Sequence, residues 1–259
     1  MRPTSFAQRL LPALLRTLAM LALCALALQA VFVARIALMA WVDPQSTSFQ
    51  RSEVWRLLTE RHHLDWHQEW ISDTRIAGHL KRAVIASEDA AFADHNGVDW
   101  DALQKAWERN QRVQTQAERR PPVAAAPGKL AKPKPEPKVV GGSTISQQLA
   151  KNLLLSGERN LARKAQEFVL TLALEALLSK RRMLEIYLNS VEWGEGVFGA
   201  EAAAQHYARL SAAQLDAFTA ARLAVMLPAP KRFERNPQSA YIVGRANVIV
   251  ARMSAVAPP

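Results

Sequence analysis

Cysteine is almost absent from this 259-residue chain, in which Cys24 is the only one. A lone cysteine cannot form an intrachain disulfide, and zinc sites built on several cysteines are excluded. Acidic residues are also fewer than basic ones: the chain has 23 aspartates and glutamates and 33 lysines and arginines, which gives a formal net charge of +10. The surplus favours an anionic partner, such as nucleic acid, an acidic membrane surface or a phosphate-bearing substrate.

Charged residues are missing from positions 17–34, TLAMLALCALALQAVFVA, and the apolar pattern continues past Arg35. A helix needs about 20 apolar residues to cross a bilayer, and the preceding Arg2, Arg9 and Arg16 indicate a cytoplasmic N-terminus. A cleaved signal peptide ending near LQA is the alternative. We expect residues 1–16 in the cytoplasm, a transmembrane signal anchor at 17–41 and an outer domain at 42–259.

Alternating strand patterns are also absent, whereas apolar residues recur at helical spacing from residue 143 onward. We therefore predict a mainly α domain. Its exception is the segment 111–140, whose prolines and Lys-Pro pairs predict an exposed, extended and mobile insert. His62, His63 and His67 include an i, i+4 spacing that would suit a metal pair on a helix, but no cysteine or acidic cluster accompanies them.

The first of three polar clusters is AVIASEDAAFADHNGVDWDAL, residues 83–103. On a continuous helix Glu88, Phe92 and His95 would share one face, and an aromatic neighbour limits the hydration of a carboxylate and raises its pKa. Gly97 would end that helix. An exposed helix end with ordinary surface charges remains the alternative.

The second cluster is GGSTISQQLAKN, residues 141–152. Thr144 and Gln147 form the pattern of a helix capping box, and Thr144, Gln148 and Lys151 would share a face of the helix that follows. A helix N-terminus after glycines, with a lysine nearby, could bind a phosphate group. The stretch lacks the Walker pattern, which disfavours nucleotide binding.

The third cluster, RKAQE at 163–167, places Arg163 and Glu167 at i, i+4 with Lys164 beside them. Two carboxylates, several cations and a membrane anchor suggest chemistry on a lipid-linked, phosphate-bearing sugar. In glycosyl transfer one carboxylate accepts the proton of the attacking hydroxyl, while cationic groups stabilise the departing anion.

In this order the clusters resemble the peptidoglycan glycosyltransferases of family 51, which occur joined to a penicillin-binding transpeptidase or alone. The matching stretches are EDAAFADHNGVDW, GGSTISQQLAKNLLL, RKAQE, SKRRMLEIYLN and GEGVFGAEAAAQHY. The resemblance implies a lysozyme-like α-helical domain outside the inner membrane. That domain would polymerise lipid II into glycan strands and release undecaprenyl diphosphate. Ser-x-x-Lys does not occur, so we expect the monofunctional branch, without a transpeptidase domain.

The resemblance also implies roles for individual residues. Glu88 looks like the general base, and Glu167 like a second carboxylate near the donor diphosphate that could act through a divalent metal such as Mg or Mn. No organic cofactor is expected. The implied substrate-binding residues are Asp89, Phe92, His95, Thr144, Gln148, Lys151, Asn152, Arg159, Arg163 and Lys164.

The expected partners are lipid II, the growing glycan strand and membrane lipids, with other cell-wall synthesis or division proteins as further candidates. Nucleic acid is not expected, because it would explain the charge but neither the anchor nor the glutamates. A lysozyme-like lytic enzyme and a membrane-tethered scaffold that binds lipid II are the two alternatives.

Overall fold

The chain begins with a long apolar helix, α1 (Phe6–Leu38), in a computed structural model that describes residues 6–119, 142–155, 157–158 and 160–259. Its stretch Pro12–Leu38 is long and apolar enough to cross a membrane, with a mean hydropathy of 2.3. The predicted transmembrane segment 17–41 extends past this helix, which ends at Leu38, and Met39 is buried in the domain core. The Met39 carbonyl accepts a hydrogen bond from Arg182 Nε at 2.8 Å.

The domain is mainly helical, as predicted. Its helices are α2 (Ser48–Arg56), α3 (Gly78–Glu88), α4 (Trp100–Arg119), α5 (Ile145–Leu154), α6 (Leu161–Leu177), α7 (Lys180–Ser190), α8 (Ala200–Ala208), α9 (Ala217–Met226), α10 (Pro230–Phe233) and α11 (Ala240–Arg252). Single turns of 3-10 or π helix at Leu57–Arg61, Asp73–Arg75, Ala212–Gln214 and Met253–Ala255 complete the helical part.

Helix α4 enters the segment that the sequence predicts to be extended. Residues 111–119 are helical, so this part of the prediction is wrong. The prolines begin only at Pro121, and nothing before it prevents a helix from continuing. The rest of the predicted insert, from residue 120, lies outside the described residues.

A small sheet accompanies the helices, although the sequence contains no clean alternating strand pattern. It consists of β1 (His67–Gln68), β2 (Glu192–Gly194) and β3 (Val197–Phe198), in the order β1-β3-β2. β1 pairs with β3 in parallel, and β2 pairs with β3 antiparallel. Strands of two or three residues are too short to produce a recognisable alternation in sequence.

The three histidines near β1 do not form the metal pair that their spacing would allow on a helix. His62 adopts a left-handed conformation with φ 53° at the end of the π turn, and His67 lies in β1. The described part of the chain contains no group of three histidine, cysteine, aspartate or glutamate side chains arranged to hold a metal.

The hydrophobic core lies between the central helices. α3 packs against α9, and α9 against α11, while α5 packs against α2, α6 and α7. Trp193, Tyr187 and Phe92 are among its largest fully buried side chains. Ile36, near the end of α1, is also fully buried in this core, so the apolar helix is continuous with the domain.

Candidate active site

The predicted helix through the first polar cluster ends early, at Glu88. Asp89 has φ −163° and ψ 77°, which no helix accommodates, and residues 90–97 form turns. The shared face predicted for Glu88, Phe92 and His95 is therefore wrong. The Asp89 side chain fixes this turn through hydrogen bonds to Ile145 and His95. The bond to Ile145 is a tertiary contact, which the local spacing of apolar residues cannot predict.

Asp89 joins the turn to the start of α5. Its Oδ2 accepts a hydrogen bond from the backbone N–H of Ile145 at 2.9 Å. His95 Nδ1 accepts from the N–H of Gly97 at 3.1 Å, so its proton lies on Nε2, which donates to Asp89 Oδ1 at 2.9 Å. Burial raises the pKa of Asp89, and the His95 and Ile145 bonds oppose that rise.

This arrangement corrects the prediction that the start of α5 binds a phosphate. The capping box of Thr144 and Gln147 is present as predicted. The first N–H of the helix, that of Ile145, already donates its hydrogen bond to Asp89. Thr144 is 3% exposed, and its hydroxyl donates to the Gly97 carbonyl at 2.6 Å. An internal carboxylate therefore occupies the position where an anion would bind.

Phe92 is another predicted substrate-binding residue that the structure places elsewhere. Its side chain is fully buried, with the Lys180 ammonium 4.7 Å from the ring centroid. Lys180 also donates to Glu175 at 2.8 Å and to the His95 carbonyl. Phe92, Asp89, His95 and Thr144 thus all make contacts that hold the turn in place.

Glu88 is half-buried at the end of α3, and its carboxylate has a fixed direction. Gln148 Nε2 donates to Glu88 Oε2 at 3.1 Å. Burial raises the pKa of Glu88, and the nearby Asp89 adds to the rise, whereas the bonds from Gln148 and Ser87 oppose it. A carboxylate in this environment is a stronger base than one in water.

Tyr187 completes this contact, and sequence reasoning gave it no role. Its hydroxyl donates to Gln148 Oε1 at 2.9 Å, which fixes the orientation of the Gln148 amide. The tyrosine is 1% exposed, and its pKa is well above 10 because of burial and the proximity of Glu88 and Asp89. The stretch MLEIYLN contained it, but only the fold brings α7 beside Glu88.

A cleft of about 370 Å³ opens beside Gln148. Three predicted substrate-binding residues, Lys151, Asn152 and Arg163, line it together with Gln148. Its other walls are formed by Phe49, Leu155, Gly157, Glu158, Val191, Glu192, Leu227, Pro228 and Pro230. Glu88 therefore lies one hydrogen bond away from a cleft that carries cations.

Glu167 holds two of the predicted cations on α6. Arg163 Nη1 is 2.9 Å from Oε2 of Glu167, and Lys164 Nζ contacts Oε1. The Glu167 side chain is 5% exposed, while that of Lys164 is 52% exposed and Arg163 reaches the cleft. Arg163 Nε is buried and has no hydrogen-bond acceptor among the residues that the structure describes.

These contacts fit a divalent metal at Glu167 poorly. Both carboxylate oxygens already face positive groups, and Mg²⁺ prefers several oxygen ligands at a site. Within the described ranges Glu167 belongs to no group of three or more histidine, cysteine, aspartate or glutamate side chains that could hold a metal. The arrangement instead holds the two cations, Arg163 and Lys164, against Glu167.

Glu192 is a further buried carboxyl group that the sequence did not indicate as part of the site. It lies on β2, lines the cleft and is 7% exposed. Lys231 Nζ is 3.2 Å from its Oε1. Burial raises the pKa of Glu192 to about 7, and Glu53 adds to the rise while Lys231 opposes it.

The predicted residues thus separate into two groups. The structure places Gln148, Lys151, Asn152 and Arg163 around the cleft, with Glu88 and Glu167 each bonded to one of them. The other group supports the turn after α3. Arg159 lies outside the described residues.

Comparison with known proteins finds a matching family model and relatives that cover most of the chain. A family model described as Transglycosylase matches residues 56–119 and 125–254. A biosynthetic peptidoglycan transglycosylase of Paraburkholderia phytofirmans is 48% identical over 241 residues, which cover 93% of this chain and 91% of the relative. A relative of the same description from Janthinobacterium sp. is 49% identical over 221 residues and covers 85% of this chain and 86% of the relative.

Proposed function

Since the chain belongs to the transglycosylase family and is a peptidoglycan glycosyltransferase, we propose that its donor is lipid II and its leaving group undecaprenyl diphosphate. The observation that carries the proposal is the position of Glu88 next to a cleft lined by Lys151 and Arg163. A base beside an anion-binding cleft is what sugar transfer from a lipid diphosphate requires.

Glu88 acts as the general base in this proposal. Its carboxylate accepts the proton of the acceptor sugar's 4-hydroxyl as that oxygen attacks the anomeric carbon of the donor. The bond from this carbon to the diphosphate oxygen breaks, and the configuration inverts. The bond from Gln148 holds the carboxylate in one orientation, and partial burial keeps it basic.

The cations of the cleft stabilise the leaving group. Negative charge develops on the diphosphate as its bond to the sugar breaks, and preorganised positive groups lower the barrier to that step. Arg163 Nε, buried and without an acceptor among the described residues, supplies a donor for a phosphate oxygen. Glu167 keeps Arg163 and Lys164 in place, and the proposal needs no metal for this role.

The apolar helix α1 anchors the enzyme in the membrane that holds its lipid substrate. The arginines at positions 2, 9 and 16 favour a cytoplasmic N-terminus, which would place the catalytic domain on the periplasmic side of the inner membrane. Such an arrangement keeps the cleft close to the diphosphate headgroup of lipid II.

Strand synthesis by the purified, detergent-solubilised full chain with labelled lipid II tests the proposal. We expect the parent to form glycan strands that a transglycosylase-inhibiting phosphoglycolipid suppresses. Glu88→Gln should form none while still binding lipid II. The matched control is Glu60→Gln, since the Glu60 side chain is 65% exposed.

Three results would contradict the proposal. Unchanged synthesis by Glu88→Gln would remove Glu88 as the base. Binding of lipid II without strand formation by the parent would favour the scaffold, and shortening of preformed strands would favour the lytic enzyme.

A further inference from the structure

A pair of glutamines connects the membrane helix to the helix that carries Glu167. Gln29 Nε2 donates to Gln166 Oε1 at 2.7 Å, and Gln166 Nε2 donates to Gln29 Oε1 at 3.0 Å. Each amide therefore satisfies both a donor and an acceptor of the other. The contact joins residues far apart in sequence, and α1 packs against α6 around it.

Gln29 is unusual in its position. It lies within the apolar stretch Pro12–Leu38, about 14 Å along the helix axis before Leu38. A polar amide at such a position is costly unless it finds a partner, and Gln166 provides one. On α6 itself, Phe168, Val169 and Leu172 are all at least 40% exposed.

The C-terminal end of α1 is held to the domain by buried side chains and by hydrogen bonds. Ile36 is fully buried and Met39 is 6% exposed, and Phe32 packs against the same core. Arg182 binds the Met39 carbonyl and forms an ion pair of 2.6 Å with Asp43. The end of the membrane helix therefore cannot rotate independently of the domain.

Gln166 occupies a critical position on α6. It precedes Glu167 directly and follows Arg163 by three residues, which places it on the same side of the helix as Arg163. Rotation of α6 about its axis would carry Arg163 away from the cleft. The amide pair resists that rotation from the side of α6 that packs against α1.

We propose that Gln29 is a positioning residue for the transferase reaction, acting through Gln166 to hold Arg163 and Glu167 toward the cleft. The membrane helix is then a working part of the site as well as an anchor. This inference rests on the proposed role of Arg163 at the donor diphosphate.

Strand synthesis by the full chain in detergent tests the pair with Gln29→Leu, Gln166→Leu and the double variant. Each single change should lower the rate per folded enzyme about three- to tenfold, in the range of polar contacts between membrane helices. The double variant should lose no more than either single variant, because both remove the same contact. Val31→Leu is the control, since Val31 lies on α1 and is 55% exposed.

A conservative variant separates positioning from general packing. Gln29→Glu keeps the length of the side chain and, while its carboxyl is protonated, offers one donor and one acceptor to Gln166. Relative to the parent at each pH, its rate should be highest at the acid end of the profile and fall toward that of Gln29→Leu as the carboxyl loses its proton. The ratio for Gln29→Leu should not change with pH.

Three results would overturn the inference while the parent still makes strands: unchanged rates in both single variants, additive losses in the double variant, or a pH-independent ratio for Gln29→Glu. Failure of the parent to make strands would instead overturn the proposed function. Circular dichroism in detergent supplies the folded fraction by which each rate is divided.

Discussion

Gln148 and Glu88 lie on different helices, and the Gln148 amide donates a hydrogen bond of 3.1 Å to the Glu88 carboxylate. Tyr187 binds the other end of the same amide at 2.9 Å. The direction of the Glu88 carboxylate is thus set by a side chain on α5 that is itself held by α7. Three separate helices have to be in register before the base points toward the cleft.

Removal of this amide should shift the pH dependence of strand synthesis. Gln148→Leu deletes a bond that lowers the pKa of Glu88 and leaves the burial that raises it, so the pKa should rise further. A base acts only when ionised, and activity is lost as pH falls through its pKa. The acidic limb of the rate profile should therefore move to higher pH.

Tyr187→Phe is the matched control for that shift. It frees the Gln148 carbonyl but keeps the donor to Glu88, so the acidic limb should move less than in Gln148→Leu. The test is to measure the rate of strand synthesis against pH, with labelled lipid II, for the parent, Gln148→Leu and Tyr187→Phe. A shift of the Gln148→Leu limb to lower pH would contradict the assignment.

Arg163→Lys should weaken donor binding although it preserves the positive charge. Lysine has no counterpart of Nε, whose missing acceptor is the proposed phosphate contact. A hydrogen bond to a charged group contributes about 1.5–3 kcal/mol, so the apparent affinity for lipid II should fall about tenfold or more. Arg112→Lys is the control, since the Arg112 side chain is 78% exposed.

Lys151→Ala should weaken the same affinity by removing a cation that lines the cleft. Titration of labelled lipid II against each variant measures the change. An unaltered apparent affinity in both Lys151→Ala and Arg163→Lys would place the diphosphate elsewhere.

Gly97→Ala should destabilise the turn that supports the site. Gly97 has φ +90°, and an added Cβ would lie 2.8 Å from Cγ2 of Thr171. Strain and overlap together should cost about 2–4 kcal/mol of unfolding free energy and lower the melting temperature. Gly244→Ala on α11 has open space around it and should be neutral or stabilising.

Glu192→Gln should make the protein more stable at high pH. The pKa of Glu192 is about 7 in the folded protein against 4.5 for an ordinary glutamate. The folded state therefore binds an extra proton between these values, and the stability that Glu192 contributes falls as pH rises through them. At about pH 8 the variant should gain about 1–3 kcal/mol over the parent, with no gain at about pH 4.

The neighbouring Glu195 provides a control of opposite sign. Its hydrogen bond to Arg56 lowers its pKa, so its contribution is present at neutral pH and is lost as pH falls. Glu195→Gln should thus lower the melting temperature at about pH 8. If Glu192→Gln and Glu195→Gln changed the stability equally at every pH, the opposite pKa shifts of the two glutamates would be contradicted.

The helical class and the cations of the cleft could be predicted because they depend on local signals. The helical spacing of apolar residues predicts α6. On that helix the i, i+4 separation of Arg163 and Glu167 predicts the ion pair that the structure contains. The capping box of Thr144 and Gln147 is also a local pattern, and it is present.

The turn after Glu88 could not be predicted in the same way. Residues 83–95 have acceptable helical spacing, and the helix ends at Glu88 because Asp89 bonds to the N–H of Ile145, a residue distant in sequence. The same contact occupies the start of α5, where the sequence suggested a phosphate. Tyr187 and Glu192 reach the site only through the fold, and no local pattern distinguishes them from core residues.

The parallel pairing of β1 with β3 has a consequence for the order of assembly. His67 aligns with Val197, and the Asn189 side chain binds the backbone of Ile71 through two hydrogen bonds of 2.9 Å. During synthesis the N-terminal part of the domain can acquire none of these partners until α7 and β3 have left the ribosome. A nascent chain that ends before Val197 should accordingly remain sensitive to protease around β1, held only by its membrane helix.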